Sequence, residues 1–184
     1  RAMASAIVDP TKPEVHKTLG QWNALESEKS LGLDEVGIWG NRRGSPAEGM
    51  GLKSFPSTGE FRVRIKASAI LPAGVSELPL RLVMGYNLNE NQSTFRIETV
   101  GSMVLRNNPD HPEEFEFRGR IENFPVRPPR GEKGRTLGPS LTITPQNLYD
   151  DGTLNDENGF RKPRNAIMPR AVVEWMEFEA PIVD

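Results

Sequence analysis

The feature that most constrains this chain is a strict alternation between apolar and polar residues over positions 61–69. Its odd positions are apolar, beginning with Phe61, Val63 and Ile65, whereas positions 62, 64 and 66 hold arginine or lysine. Successive side chains of a β-strand point to opposite faces, so this pattern predicts a strand with one buried face and one basic, solvated face. Such a strand needs a sheet around it and a second layer over its apolar side.

Other segments have the composition of short strands bounded by turn-forming residues: 80–86, 94–100, 102–105, 114–121, 140–144 and 171–180. Residues 15–39 are expected to hold one or two edge strands, and residues 40–58 to be irregular. The 17 glycines and 16 prolines favour many turns, and no helical pattern of useful length separates the strands. We therefore predict an all-β fold, specifically an antiparallel β-sandwich of the jelly-roll kind. Its core should include Phe61, Val63, Ile65, Phe115 and Phe117.

Length and charge narrow the function classes. We expect residues 1–13 to be a tail of vector-like residues and linker, and residues 14–184 to form a single β-sandwich domain. Lys and Arg total 23 against 25 Asp and Glu, and the net charge of -2 provides no field for phosphate backbones or anionic lipid. Nucleic acid is therefore a disfavoured partner.

No apolar run approaches the ~20 residues that span a bilayer, so membrane insertion is not expected. The absence of cysteine excludes disulfides, thiolate metal sites and covalent haem attachment in this segment.

Two stretches carry a family resemblance. Residues 55–69, FPSTGEFRVRIKASA, resemble the proline, turn, glycine, aromatic and alternating-strand signature of jelly-roll carbohydrate-binding modules. Residues 169–182, PRAVVEWMEFEAPI, are similar to the end of a carbohydrate-binding segment found inside multidomain planctomycete cytochrome c proteins. The resemblance implies export to the periplasm, cell envelope or extracellular space. It also implies a larger parent protein with neighbouring domains as partners, and polysaccharide or oligosaccharide binding.

Sugar-binding surfaces combine aromatic rings, which pack against pyranose C–H groups, with amide or charged side chains that bind hydroxyls. Candidate residues for this role are Tyr86, Asn87, Asn89, Trp39, Tyr149 and Trp175. Tyr86 lies at a strand end beside a polar loop, which favours exposure. Trp175 is ambiguous, because simple alternation puts Glu174 with Met176 and Phe178 on one face and Trp175 on the other without deciding which is buried.

An acid- and amide-rich loop is a candidate calcium site. Asp150, Asp151, Asn155 and Asp156 supply the hard oxygen ligands that Ca²⁺ prefers, although their spacing is not that of an EF-hand and the same residues suit an ordinary turn. The resemblance implies a structural calcium near the last strand, where Glu174 would be a further ligand.

Catalysis is not expected. His16 and His111 are the two histidines of the chain, and neither stands in a metal-binding or serine-nucleophile context. Acidic residues that alternate along a strand are typical of a solvent face more than of a glycosidase pair. Residues 127–135 form a locally basic loop that suits an acidic glycan or a partner domain, although a solvated loop is the simpler interpretation. The sequence thus predicts a non-catalytic carbohydrate-binding module, with a structural or docking domain as the alternative.

Overall fold

The computed structural model describes residues 14–19, 37–39, 49–52, 55–87, 95–126, 141–152 and 169–182. This part of the chain forms nine strands and a short 3-10 turn at Ile121–Asn123. The strands are β1 (Glu14–Leu19), β2 (Gly37–Trp39), β3 (Met50–Leu52), β4 (Glu60–Ile70), β5 (Leu78–Asn87), β6 (Phe95–Leu105), β7 (Glu113–Arg120), β8 (Leu141–Asn147) and β9 (Arg170–Ala180). No helix in these residues is long and apolar enough to span a membrane.

The strands assemble into two antiparallel sheets. Sheet A has the order β1-β9-β4-β7, and β2 also pairs with β9. Sheet B has the order β3-β8-β5-β6. The inner faces of both sheets contribute to one hydrophobic core, which gives a β-sandwich-like fold. The prediction of an all-β protein with antiparallel sheets is confirmed.

Strand β4 follows the predicted alternation. Phe61, Val63 and Ile65 are fully buried, while the residues between them are partly exposed. The ring of Phe61 stacks on Phe178 of β9, with centroids 5.6 Å apart and planes inclined by 27°. Phe61 also meets the edge of Phe124 at a centroid distance of 5.4 Å. Sheet B faces these rings with aliphatic side chains, which include Leu78, Leu80, Leu82, Met84, Leu141 and Ile143.

Two of the predicted core residues are only half-buried. Phe115 and Phe117 pack against the core from β7, but β7 is the last strand of sheet A and its side chains are covered from fewer directions. Phe117 reaches across to sheet B, where a Cβ placed on Gly101 of β6 would overlap its ring. The missing side chain at position 101 therefore leaves room for Phe117 where the two sheets meet.

Three strand predictions need correction. Residues 94–100 and 102–105 do not form two strands, because β6 runs unbroken through a β-bulge: Gly101 pairs with Leu82 and Thr99 with Val83, which leaves Val100 as the extra residue. The segment 40–58, predicted to be irregular, contains β3. Strand β8 continues past Thr144 through Pro145, which lies beyond the last residue that pairs with β3. A proline there removes no donor from that ladder.

The stacked ring of Phe61 should be a major contributor to stability. Phe61→Ala is expected to lower the free energy of unfolding by about 3–5 kcal/mol, since it empties a fully buried aromatic site. Urea unfolding measures this loss. Phe115→Ala is the matched control on the neighbouring strand, and its half-buried ring should cost less; equal losses would contradict the inner and edge positions of the two rings.

The contact between Gly101 and Phe117 predicts non-additive stability. Gly101→Ala should destabilise by about 1–3 kcal/mol, because the new methyl group overlaps the Phe117 ring. Phe117→Leu removes that ring, so the double variant should be less destabilised than the sum of the two single variants. Urea unfolding of the four proteins completes the cycle, and strict additivity would show that these two residues do not compete for the same space.

Candidate functional site

A second β-bulge decides which side chains lie on the outer face of sheet A. Along the pairing of β4 with β9, Lys66 is opposite Trp175 and Ala67 is opposite Val173, so Glu174 is the extra residue. The two residues of a bulge turn to the same side of the sheet. Glu174 and Trp175 accordingly both face outward and are half-buried, between the buried Val173 and Met176.

The bulge corrects the simple alternation expected for the last strand. Glu174 does not share a face with Met176 and Phe178, which are in the core. The sequence carries a signal for this change: the small or apolar inward positions are odd at Ala171 and Val173 and even from Met176 onward. A shift in the parity of apolar positions within one strand indicates a bulge.

The outer face carries a row of ion pairs between β4 and β9, which we call the ion-pair strip. Arg62 pairs with Glu179, Arg64 with Glu177, and Lys66 Nζ lies 2.9 Å from Glu174 Oε2. Opposite charges stand across from each other along this register, which is a favourable arrangement of cross-strand pairs. The row continues the alternation of β4, because the residues that face outward there are basic.

The strip extends to β7 and to the turn that follows it. Arg62 Nη1 lies 3.7 Å from Glu116 Oε2, and Arg118 Nε donates to Glu116 Oε1 at 3.0 Å. Arg120 Nε donates to Glu122 Oε1 at 2.7 Å. Each exposed pair of this kind contributes at most about 1 kcal/mol, but a connected network fixes the direction of its side chains.

The ion pairs perturb the titration of their members. Hydrogen bonding to Glu177 raises the pKa of Arg64, and hydrogen bonding to Glu174 raises the pKa of Lys66. The backbone N–H groups of Glu122 itself and of Gly59 hold the pKa of the Glu122 carboxyl below its usual value, with Arg120 adding to the effect. The Gly59 N–H donates to Glu122 Oε2 at 3.0 Å, which ties the turn before β4 to the end of β7.

The outer face of sheet B has a different character. Thr142, Thr144 and Gln146 of β8 face away from the core by register, and yet they are buried, as is Val83 on the neighbouring strand. Arg81 donates two hydrogen bonds to Gln146 Oε1, at 2.6 and 3.1 Å. Along β8 the outward polar residues are therefore covered, whereas most of the charged residues of the ion-pair strip are partly or fully exposed.

The aromatic residues predicted to bind sugar do not lie together. Tyr86 is half-buried near the end of β5, whereas Tyr149 follows β8 near the start of β5, where Leu148 N–H donates to Pro79 O at 2.9 Å. Seven residues of strand separate these positions, about 23 Å. Trp175 lies on the other sheet.

For the other residues predicted to bind sugar, the structure gives at most the backbone position. Trp39 ends β2 opposite Ala171, and Asn87 ends β5 opposite Phe95. Asn89 lies outside the described residues. The structure thus separates Tyr86, Tyr149 and Trp175 and leaves their roles as predictions.

The described members of the predicted calcium set do not converge. Asp150 Oδ1 accepts a hydrogen bond from Gly152 N–H at 2.8 Å, and Asp151 Oδ2 accepts one from the Tyr149 hydroxyl at 3.4 Å. Glu174 is held by Lys66 on sheet A. No group of three or more candidate metal ligands exists among the described residues. Asn155 and Asp156 lie outside the described residues, so calcium binding stays a prediction.

Comparison with known proteins adds no relative. A scan of protein-family models, a search of curated proteins and a search of solved structures each found no match to this chain. The resemblance to a carbohydrate-binding segment therefore stays a hypothesis carried by residues 55–69 and 169–182.

The pairing of Lys66 with Glu174 predicts a measurable titration. The Lys66 amine should titrate above its ordinary value of 10.5, because the folded state stabilises its charged form. A raised pKa stabilises the fold fully below the unfolded value, and that contribution is lost as pH rises through the folded pKa. NMR titration of the lysine side chain measures the shift, and Glu174→Gln should return the midpoint towards 10.5. An unchanged midpoint in that variant would contradict the pairing.

Proposed function

We propose that this domain is a non-catalytic glycan-binding module that holds its ligand on the outer face of sheet A, around Trp175. One observation carries the proposal: the bulge in β9 sets Trp175 beside the Lys66–Glu174 ion pair on the same face. An aromatic ring next to a fixed donor and a fixed acceptor is the combination that sugar recognition requires.

The chemistry of each partner is distinct. The indole of Trp175 offers an apolar surface on which the C–H face of a pyranose packs. The Lys66 ammonium donates to a sugar hydroxyl, and the Glu174 carboxylate accepts from a neighbouring one. Since Lys66 and Glu174 already hold each other, they are arranged before the ligand arrives, which lowers the entropy cost of binding.

We infer that the sandwich has jelly-roll topology, which supports the glycan-binding proposal by analogy of fold. The strand order favours this: β5 and β6 form a hairpin within sheet B, whereas each step from β3 to β4, β4 to β5, β6 to β7, β7 to β8 and β8 to β9 changes sheet. The first strand of sheet A lies beside the last, and the order within each sheet fits two interleaved Greek keys.

Two observations support binding without catalysis. Glu174, Glu177 and Glu179 are each engaged by a basic residue of β4. A glycosidase needs two carboxyl groups that act on opposite sides of one bond, whereas these three follow one another along a single strand. Location in the periplasm, envelope or extracellular space, within a cytochrome-containing parent, completes the proposal on the strength of the resemblance.

Affinity electrophoresis against a panel of soluble polysaccharides tests the proposal. At least one polymer should retard the protein, and Trp175→Ala should weaken that retardation about tenfold, near the upper range for one aromatic contact. Trp175→Phe should retain part of the affinity, because it keeps an aromatic face.

Tyr86→Ala is the matched control, since Tyr86 is a half-buried aromatic on sheet B. It should bind like the wild type. Loss of binding in Tyr86→Ala with retention in Trp175→Ala would move the site to the end of sheet B. No retardation by any polymer would overturn glycan binding and favour the docking alternative.

A further inference from the structure

Building on the proposed function, we infer that the glycan bound on this face is an uncharged polysaccharide, and that carboxylated glycans are discriminated against. The ion-pair strip carries the inference, because it commits the basic side chains of β4 and β7 on this face to partners within the protein. These cations are Arg62, Arg64, Lys66, Arg118 and Arg120.

The strip is also balanced in charge. Its five cations are joined to five carboxylates, those of Glu116, Glu122, Glu174, Glu177 and Glu179. By register, the outer face also includes Glu60 and Glu114, together with Lys17 opposite Glu177 and Arg170 opposite Ile70, so the numbers of acidic and basic residues stay equal. The face therefore offers an approaching uronate no net attraction, and like charges placed against each other oppose binding.

A uronate that formed a full ion pair with this face would compete with an internal carboxylate for the same cation. Arg64 is the most exposed basic residue between β4 and β9, but its partner Glu177 has a side chain only 5% exposed. Releasing Arg64 to a ligand would take one cation away from the nearly buried Glu177 carboxylate, and loosening a buried ion pair is unfavourable. The incoming carboxylate would replace an equivalent contact at the expense of this internal pair, so little is gained.

A neutral sugar avoids both costs. A hydroxyl group is donor and acceptor at once, so it can join an existing ion pair without displacing either member. A guanidinium has five N–H donors, and the carboxylates have lone pairs beyond those used in the pairs. The strip can therefore bind hydroxyl groups along an uncharged polysaccharide while its own ion pairs stay intact.

The salt response follows from the same balance. Binding that neutralises ligand charge weakens as ionic strength rises, because salt screens exposed charges. An uncharged ligand that hydrogen-bonds to intact ion pairs through its hydroxyl groups brings no charge that salt could screen. Affinity for the uncharged polymer should therefore change little between low and moderate salt.

The experiment uses pairs of polymers that share a backbone and differ in charge. We would measure retardation by hydroxyethylcellulose against carboxymethylcellulose, and by methyl-esterified homogalacturonan against the free acid, each at low and moderate salt. The uncharged member that retards the wild type should do so about fivefold more strongly than its carboxylated counterpart, which is the size of one exposed ion pair.

A charge-release variant tests the cause. Glu177→Gln keeps the shape of the side chain and frees Arg64, so it should gain retardation by the carboxylated polymer, and that gain should disappear with salt. Glu77→Gln is the matched control, because Glu77 pairs with Arg106 at 2.8 Å away from this face. It should change neither polymer. Urea unfolding of both variants checks that they fold.

The outcomes separate the two proposals. Retardation by no polymer at all overturns glycan binding itself. Retardation of the wild type by the carboxylated member as strongly as by the neutral one, as the basic segment 127–135 outside the described residues would produce, overturns the preference while glycan binding stands. An equal response of Glu177→Gln and Glu77→Gln shows that the strip is not the source of the preference.

Discussion

The pairing of β4 with β9 is the interaction on which the rest of this domain depends. The two strands lie at the centre of sheet A, and a single register serves both of its faces. On the inner face it places Phe61 against Phe178. On the outer face the same register places Arg62 against Glu179 and Arg64 against Glu177. A slip by one residue would exchange buried rings for charges, so the core and the ion-pair strip specify the same alignment.

The bulge at Glu174 interrupts the regular pairing of β9 with β4 next to Trp175. It lets β9 keep small or apolar residues inward on both sides of the interruption, from Ala171 and Val173 to Met176 and Phe178. Its consequence on the other face is that an acidic residue and a tryptophan stand next to each other. Bulges often change the direction of side chains beside functional sites, and here the two residues affected are those on which the proposed binding site rests.

The two outer faces of the sandwich differ in how much of them water reaches. On sheet B the outward Thr144 is fully buried and Gln146 nearly so, and Gln146 is occupied by Arg81. On sheet A the charged residues of the ion-pair strip are partly or fully exposed except for the buried Glu177, while Ser68 and Val172, farther along the same face, are buried. Large exposed apolar residues in the described part of the chain are limited to Val126 and Leu148, which do not form a broad apolar patch. The exposed part of the ion-pair strip is therefore polar, which suits the polar ligand proposed for it.

The class of fold and the course of β4 could be predicted from the sequence, because an alternation of apolar and polar residues is compatible with little other than a strand covered on one side. The limits of β9 could be predicted as well, because its run of apolar and aromatic residues is typical of a strand. Local patterns did not determine how far Phe117 would be buried, since that depends on β7 being an edge strand and on the space left by Gly101 across the sandwich. Local patterns also did not predict which face of the sheet Trp175 occupies, because a period-two alternation does not account for an extra residue in the strand. Glu174 and Trp175 face outward together because β9 pairs with β4, whose residues lie more than a hundred positions away in the chain. A β-bulge depends on the register between two strands, so the sequence of one strand alone does not specify it.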